Sequence, residues 1–178
     1  MFIRETTLSD LDAILAVEDA AFGRDDVVGL TRDLLHDPTA IPALSLLAFD
    51  GDRPVGHILF TSARLEPSAP SATLSILAPL AVIPEEQGNG VGGALIEYGL
   101  RVLSDAGVGL VFVLGHPGYY PRHGFAPAGC QGFDAPYPIP AKDADAWMVR
   151  ELRPGLIGNL RGTVLCAEAL DRPEHWRE

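Results

Sequence analysis

The run Gln87-Gly88-Asn89-Gly90-Val91-Gly92-Gly93 is the part of this sequence best suited to holding an anion. Glycines have no Cβ and let a backbone come close to a pyrophosphate, and a helix beginning there adds about half a positive charge at its N-terminus. Gln87 contributes a side-chain amide and no charge, so backbone amides must do most of the binding. Further along, Tyr119 and Tyr120 carry phenols that can give up a proton, and His116 carries an imidazole that titrates near neutrality. Three readings of the loop compete. Gly88, Gly90 and Gly93 also spell G-x-G-x-x-G, but the dinucleotide fingerprint needs an acidic residue at the end of the next strand, where Leu114 is followed by Gly115 and His116. A phosphate loop of the G-K-[ST] type is excluded by its missing lysine. The third reading is a plain strand-to-helix turn with surplus glycines.

The elements that must position these groups follow from periodicity. Phe2 to Thr6 reads as a strand, and Ser9, with Asp12 three residues on, reads as the cap of a helix to Ala21 that Gly23 closes. A shorter helix is expected over Val27 to His36, ended by Asp37-Pro38, with Gly23 to Asp26 as the loop between. Ser45 to Phe49 and Val55 to Leu65 form an antiparallel pair across an Asp-Gly turn. Thr73 to Val82 is an extended run broken by Pro79, which cannot donate to a ladder and marks an edge, a bulge or lost pairing. Gly90 to Ala106 has a broad apolar helical stripe and stops at Gly107. Leu110 to Leu114 is apolar throughout, as in parallel strands covered on both faces, so strand, glycine loop, helix and strand make one right-handed crossover. A helical turn at Tyr119 to Arg122, a loop at Gln131 to Asp145 and strands at Ala146 to Leu152 and Thr163 to Leu170 complete a mixed α/β sheet that is not doubly wound.

Leu80 to Ile96, L-A-V-I-P-E-E-Q-G-N-G-V-G-G-A-L-I, resembles the acetyl-coenzyme A signature of the GNAT N-acetyltransferases, and Val113 to Phe125, ending in Tyr-x-x-x-Gly-Phe, resembles their next strand and short helix. The resemblance, to a bacterial branch of predicted acetyltransferases, extends over nearly the whole chain. It implies a GNAT fold: a mostly antiparallel mixed sheet, flanked by helices, in which one parallel pair splays apart. It also implies acetyl-coenzyme A as donor, no metal, and direct attack by the amine without an acyl-enzyme. The cofactor arm would follow Leu80, Ala81 and Val82, its phosphates would meet Gln87 to Gly93, and His116 and Tyr119 would contact it. Tyr120 matches the tyrosine near the cofactor sulfur and is the expected general acid, with Tyr119 its rival. A backbone amide near Val82 is the simplest holder of the oxyanion. The glutamate that some relatives carry on the central strand is missing from Thr73 to Val82, so the general base stays open between His116, water, and Glu18, which is otherwise expected on a solvated helix face.

Length and composition set the remaining bounds. A chain of 178 residues fits one compact domain, here 1–178. There is no run of eighteen apolar residues and no signal-peptide pattern, so neither a membrane nor export is expected. Cys130 and Cys166 form no C-x-x-C, which suits a reducing compartment, the cytoplasm. The net charge of −11 argues against nucleic acid and suits a cationic amine. Asp25, Asp26, Asp134, Asp143 and Asp145 make the expected acceptor loops acidic, which favours a small cationic amine, then a peptide or protein amine. A non-catalytic acyl-coenzyme A sensor is the reading from another class. Exposed terminal strands would allow a homodimer. His36, His57, His123 and His175 lack metal-ligand spacing and receive no role.

Overall fold

The capping box forms two residues earlier than the sequence suggests, on a short turn ahead of the first helix. In the computed structural model, which describes residues 1–177, strand β1 (Phe2–Glu5) leads into a short turn, Leu8–Asp10, and then helix α1 (Leu11–Phe22). Asp10, not Asp12, closes the capping box, accepting the Thr7 N–H at 2.7 Å. The Arg4 guanidinium grips the same carboxylate at 2.8 and 2.9 Å, and together with the Thr7 N–H it holds the Asp10 carboxyl well below the usual carboxylate range. α1 ends at Gly23 with φ of 61°, a left-handed position suited to glycine. Helix α2 (Asp25–Leu35) begins before the expected Val27, because Asp25 and Asp26 sit in its first turn, where acidic groups oppose the helix dipole favourably.

Strands β2 (Leu44–Asp50), β3 (Arg53–Glu66), β4 (Leu74–Val82) and β5 (Leu110–Leu114) follow, with helix α3 (Val91–Asp105) crossing from β4 to β5. Short strands β6 (Ala126–Pro127) and β7 (Phe133–Asp134) precede β8 (Trp147–Glu151) and β9 (Gly162–Leu165). The order is β1-β2-β3-β4-β5-β8-β6, with β9 joining β3 and β7. β4 and β5 are parallel, as are β7 and β9, while the other pairs are antiparallel. β9 stops at Leu165, short of the expected Leu170. Its continuation is drawn off the sheet because Thr39 Oγ1 and Asp37 Oδ2 take the amides of Glu168 and Ala169, each at 2.9 Å.

The strand pleat puts α1 and α3 on opposite faces. On one face Gly56 and Phe60 of β3 meet α3, so closely that an added Cβ on Gly99 would lie 2.3 Å from Phe60 Cε2. On the other, β3 turns His57 toward α1. There His57 Nδ1 and Glu18 Oε1 lie 2.6 Å apart, and Ser45 Oγ is 2.9 Å from His57 Nε2. Glu18 is therefore fully buried, not on the solvated face its spacing implied, and burial pushes its carboxyl pKa up against the opposing bond to His57. The contact offsets part of the desolvation, leaves Glu18 Oε2 without a partner among the described residues, and ties α1 to the sheet.

Phe60 is fully buried with no free space beside it. Gly99→Ala is expected to lower unfolding stability by about 1–3 kcal/mol through overpacking, read from urea denaturation. An unchanged midpoint would contradict this packing.

Candidate active site

β4 and β5 pair at Leu74↔Leu110, Ser75↔Val111 and Ile76↔Phe112, and then separate. Each has its own partner beyond that point. β4 follows β3 to Val82, with a bulge where Phe60↔Leu77 gives way to Ile58↔Leu80, so that β4 carries one extra residue beside Pro79. β5 follows β8 to Leu114↔Trp147. The gap is a cleft of about 440 Å³, floored by Leu77, Pro79 and Leu80 on one side and Val113 and Leu114 on the other.

Antiparallel alternation fixes which groups face that gap. The Ile83 N–H donates to Val55 O at 3.0 Å, so Ile83 and, two residues back, Ala81 turn toward β3. Leu80 and Val82 must then turn their N–H and C=O groups outward. Gln87 confirms the direction by donating its Nε2 to Val82 O at 3.0 Å. Ala81 is buried and paired with His57, whereas Leu80 and Val82 line the openings.

The second cavity, about 530 Å³, lies at the start of α3 and is bounded by Leu80, Val82, Glu86, Gln87, Gly88, Gly90 to Gly93, Tyr119, Arg122 and His123. Gly90 takes φ of 85° and Gly88 φ of 80°, which swings the chain so that the first α3 amides, at Val91, Gly92 and Gly93, point out of the helix end. Asn89 stands outside this lining, its side chain donating to Glu86 at 3.2 Å. The two cavities share Leu80 and Tyr119.

The two tyrosines are placed differently: Tyr119 reaches both cavities and Tyr120 only the cleft. Tyr119 lies over the loop, its hydroxyl 2.7 Å from where a Cβ on Gly92 would stand. Burial pushes its phenol pKa up, with the Arg122 guanidinium, 5.0 Å over the ring, acting in the opposite sense. Tyr120 is buried, lines only the β4–β5 cleft of these two, and packs edge-on to Tyr119 and Phe125 with ring centroids at 5.2 and 5.7 Å. Gly115 makes room for it, because a Cβ there would sit 2.4 Å from the Tyr120 ring. His116 is exposed on the cleft rim, and its Nδ1 accepts the Gly118 N–H at 3.2 Å.

Several contributors were not singled out from the sequence. Arg122 and His123 line the loop cavity from the turn Tyr120–His123. His123 Nδ1 is 3.1 Å from Glu97 Oε1, and its buried Nε2 has no partner among the described residues. Both lie inside the Tyr-x-x-x-Gly-Phe segment, the one signal that could have drawn attention to them. The far wall of the cleft comes from Phe22, Arg24 and Asp26, together with Leu170, Glu174 and His175 of the C-terminal turns. The loop 131–145 lines a different hollow, with Phe133, Tyr137 and Trp147. Among the described residues no group of three or more His, Cys, Asp or Glu side chains could hold a metal ion. No helix there is long and apolar enough to cross a membrane.

Known proteins are similar to this chain in sequence and fold. A family model for the acetyltransferase (GNAT) domain matches residues 2–128. The N-acetyltransferase YjhQ of Escherichia coli strain K12, described as uncharacterized, is 49% identical over 164 residues, covering 92% of this chain and 90% of its own. The crystal structure of the GNAT family N-acetyltransferase YhbS from Escherichia coli in complex with CoA superposes with a TM-score of 0.86 at 26% identity, covering 97% of this chain and 92% of that one. A GNAT family acetyltransferase from Brucella melitensis in complex with acetyl-CoA gives a TM-score of 0.74 at 27% identity, covering 96% of this chain and 97% of that one. This chain belongs to the GNAT acetyltransferase family.

The Gly118 N–H occupies the lone pair of His116 Nδ1, so the neutral ring must carry its proton on Nε2. Long-range ¹H–¹⁵N spectra at alkaline pH should show Nδ1 of His116 unprotonated. A protonated Nδ1 would contradict the contact.

Proposed function

We propose that the protein is an acetyl-coenzyme A-dependent N-acetyltransferase whose acceptor is a small cationic primary amine, attacking directly in a ternary complex. The observation that carries this reading is the meeting of two cavities at Leu80 and Tyr119, beside a strand edge whose Leu80 and Val82 backbone groups face outward. A pantetheine arm needs such an edge, and a pyrophosphate needs the amides of Val91 to Gly93 beyond it. Gln87 steadies the junction through Val82, Tyr119 covers the loop, and Arg122 supplies a cation that the neutral loop lacks. His116 offers its remaining ring nitrogen at the rim.

The thioester carbonyl would lie against β4, where the Val82 N–H can stabilise the oxyanion as the amine adds. Tyr120, in the cleft itself, is the group we assign to protonating the departing thiolate. Asp26 and Glu174 make the acceptor wall acidic, although Asp26 is already paired with Arg24, and the floor is apolar. This favours a cationic amine on a compact apolar body. We further read the chain as one domain, able to form a homodimer. The free Cys130 and Cys166 suit a reducing cytoplasm.

Calorimetric titration with acetyl-coenzyme A, followed by thiol release with 2-phenylethylamine, glucosamine and spermidine, tests this reading. Tyr120→Phe should keep the cofactor affinity and lose about 10²-fold or more in kcat. Wild-type protein that fails to bind acetyl-coenzyme A would overturn it. Binding without amine-dependent thiol release would point instead to a sensor.

A further inference from the structure

An amine acceptor is an ammonium ion at neutral pH, so the proposed reaction needs a group that takes its proton before nitrogen can attack. Glu18 cannot serve, because it is sealed against His57 and touches neither cavity. His116 is poorly set for it, since its Nδ1 lone pair already accepts from Gly118 and its neutral Nε2 carries the proton. His175 is the third candidate. It belongs to the C-terminal turn Pro173–Trp176, is half-buried, and lines the same cleft as Tyr120 and Leu80. The next residue anchors that turn: Trp176 is fully buried, donates its indole N–H to Leu170 O at 3.0 Å, and packs edge-on to Trp147 at 5.6 Å.

We propose that His175 is the general base of this enzyme, taking one proton from the acceptor ammonium across the cleft from Tyr120. The inference rests on the acetyltransferase reading and adds the residue that activates the acceptor. The surroundings suit the task. Burial pulls the imidazole pKa below its ordinary value, and Arg172 does the same, while Glu174 and Asp26 act in the opposite sense. Arg24, bound to Asp26, and His116, Tyr119 and Tyr120 are the other charged or titratable groups lining the cleft. Burial thus favours the neutral imidazole a base needs, while Asp26 and Glu174 attract the incoming cation.

The protons balance. The ammonium gives one proton to His175, which releases it to solvent. The amine lone pair then forms the C–N bond, the C–S bond breaks, and the thiolate takes the phenolic proton of Tyr120. The second proton lost by nitrogen restores that phenol. The products are the amide, coenzyme A thiol and one proton.

The test is the pH dependence of kcat/KM, with acetyl-coenzyme A saturating and the best of 2-phenylethylamine, glucosamine and spermidine as acceptor. With His175 as base, the wild-type profile should fall only below about pH 6.5 and be flat above it until the amine itself titrates. His175→Gln should be about 10²-fold slower near neutrality and climb about tenfold per pH unit, following the free amine. Its affinity for acetyl-coenzyme A should be unchanged. A His175→Gln enzyme that keeps the wild-type rate and flat profile would overturn the assignment. So would a wild-type profile that already follows the free amine, or wild-type protein that binds acetyl-coenzyme A yet acetylates none of the three amines. If the variant does not bind the cofactor, the wild-type profile alone decides. Wild-type protein that does not bind acetyl-coenzyme A overturns the acetyltransferase reading instead.

Discussion

The parting of β4 from β5 after Ile76 and Phe112 is the feature on which the rest of the site depends. A strand released on one side leaves a row of N–H and C=O groups that need partners. Two firmer pairings hold the gap open. β3 keeps β4 along its other edge, and β8 keeps β5. The extra residue in β4 tilts the strand where it leaves its neighbour, and Pro79, with no N–H, cannot rebuild the lost ladder. A short turn and the glycine loop join the freed strand to α3, and one cavity is lined by both Val82 and Val91, so the open edge and the helix amides face a common space.

Charge is distributed around this cleft in a way that net charge conceals. In a chain of net charge −11 the cavity at the start of α3 gathers backbone amides and the Arg122 guanidinium, with Glu86 as its one carboxylate, and its proposed role as an anion site rests on those dipoles and not on a cluster of lysines. The other mouth carries Asp26, Glu174 and His175. On the proposed reading, one gap would offer positive dipoles to a phosphate on one side and carboxylates to an ammonium on the other. The buried Glu18–His57 contact belongs to neither mouth, and it fixes α1, whose last residue, Phe22, forms part of the cleft's far wall.

Much of the cofactor side was legible in the sequence because it is written in local signals. The glycines from Gly88 to Gly93 announce a turn and a helix start, Pro79 announces lost pairing, and the Leu110–Leu114 run announces a parallel strand. Tyr119 and Tyr120 were both visible, but their different placement depends on the turn that carries them and on the space at Gly92 and Gly115. The other side was legible only in part: Asp26 of the expected loop does line the cleft, but two other expectations fail for a physical reason. Glu18 looked like a solvated position because helical spacing cannot reveal His57, thirty-nine residues away, across the sheet. The loop 131–145 was expected beside the acceptor but lines a different hollow, and the cleft wall beside Phe22, Arg24 and Asp26 is completed by turns that Asp37 and Thr39 pull from the end of β9. Such long-range side-chain contacts leave no periodicity to read.

Residue-resolved amide hydrogen exchange, with and without coenzyme A, tests the central claim that the freed edge of β4 is the cofactor's binding surface. The account predicts marked slowing at Leu80 and Val82, whose amides face the cleft, and little change at Ala81, already turned to β3, or at Ile76, where β4 and β5 still pair. Bound coenzyme A that leaves Leu80 and Val82 exchanging as before would contradict it.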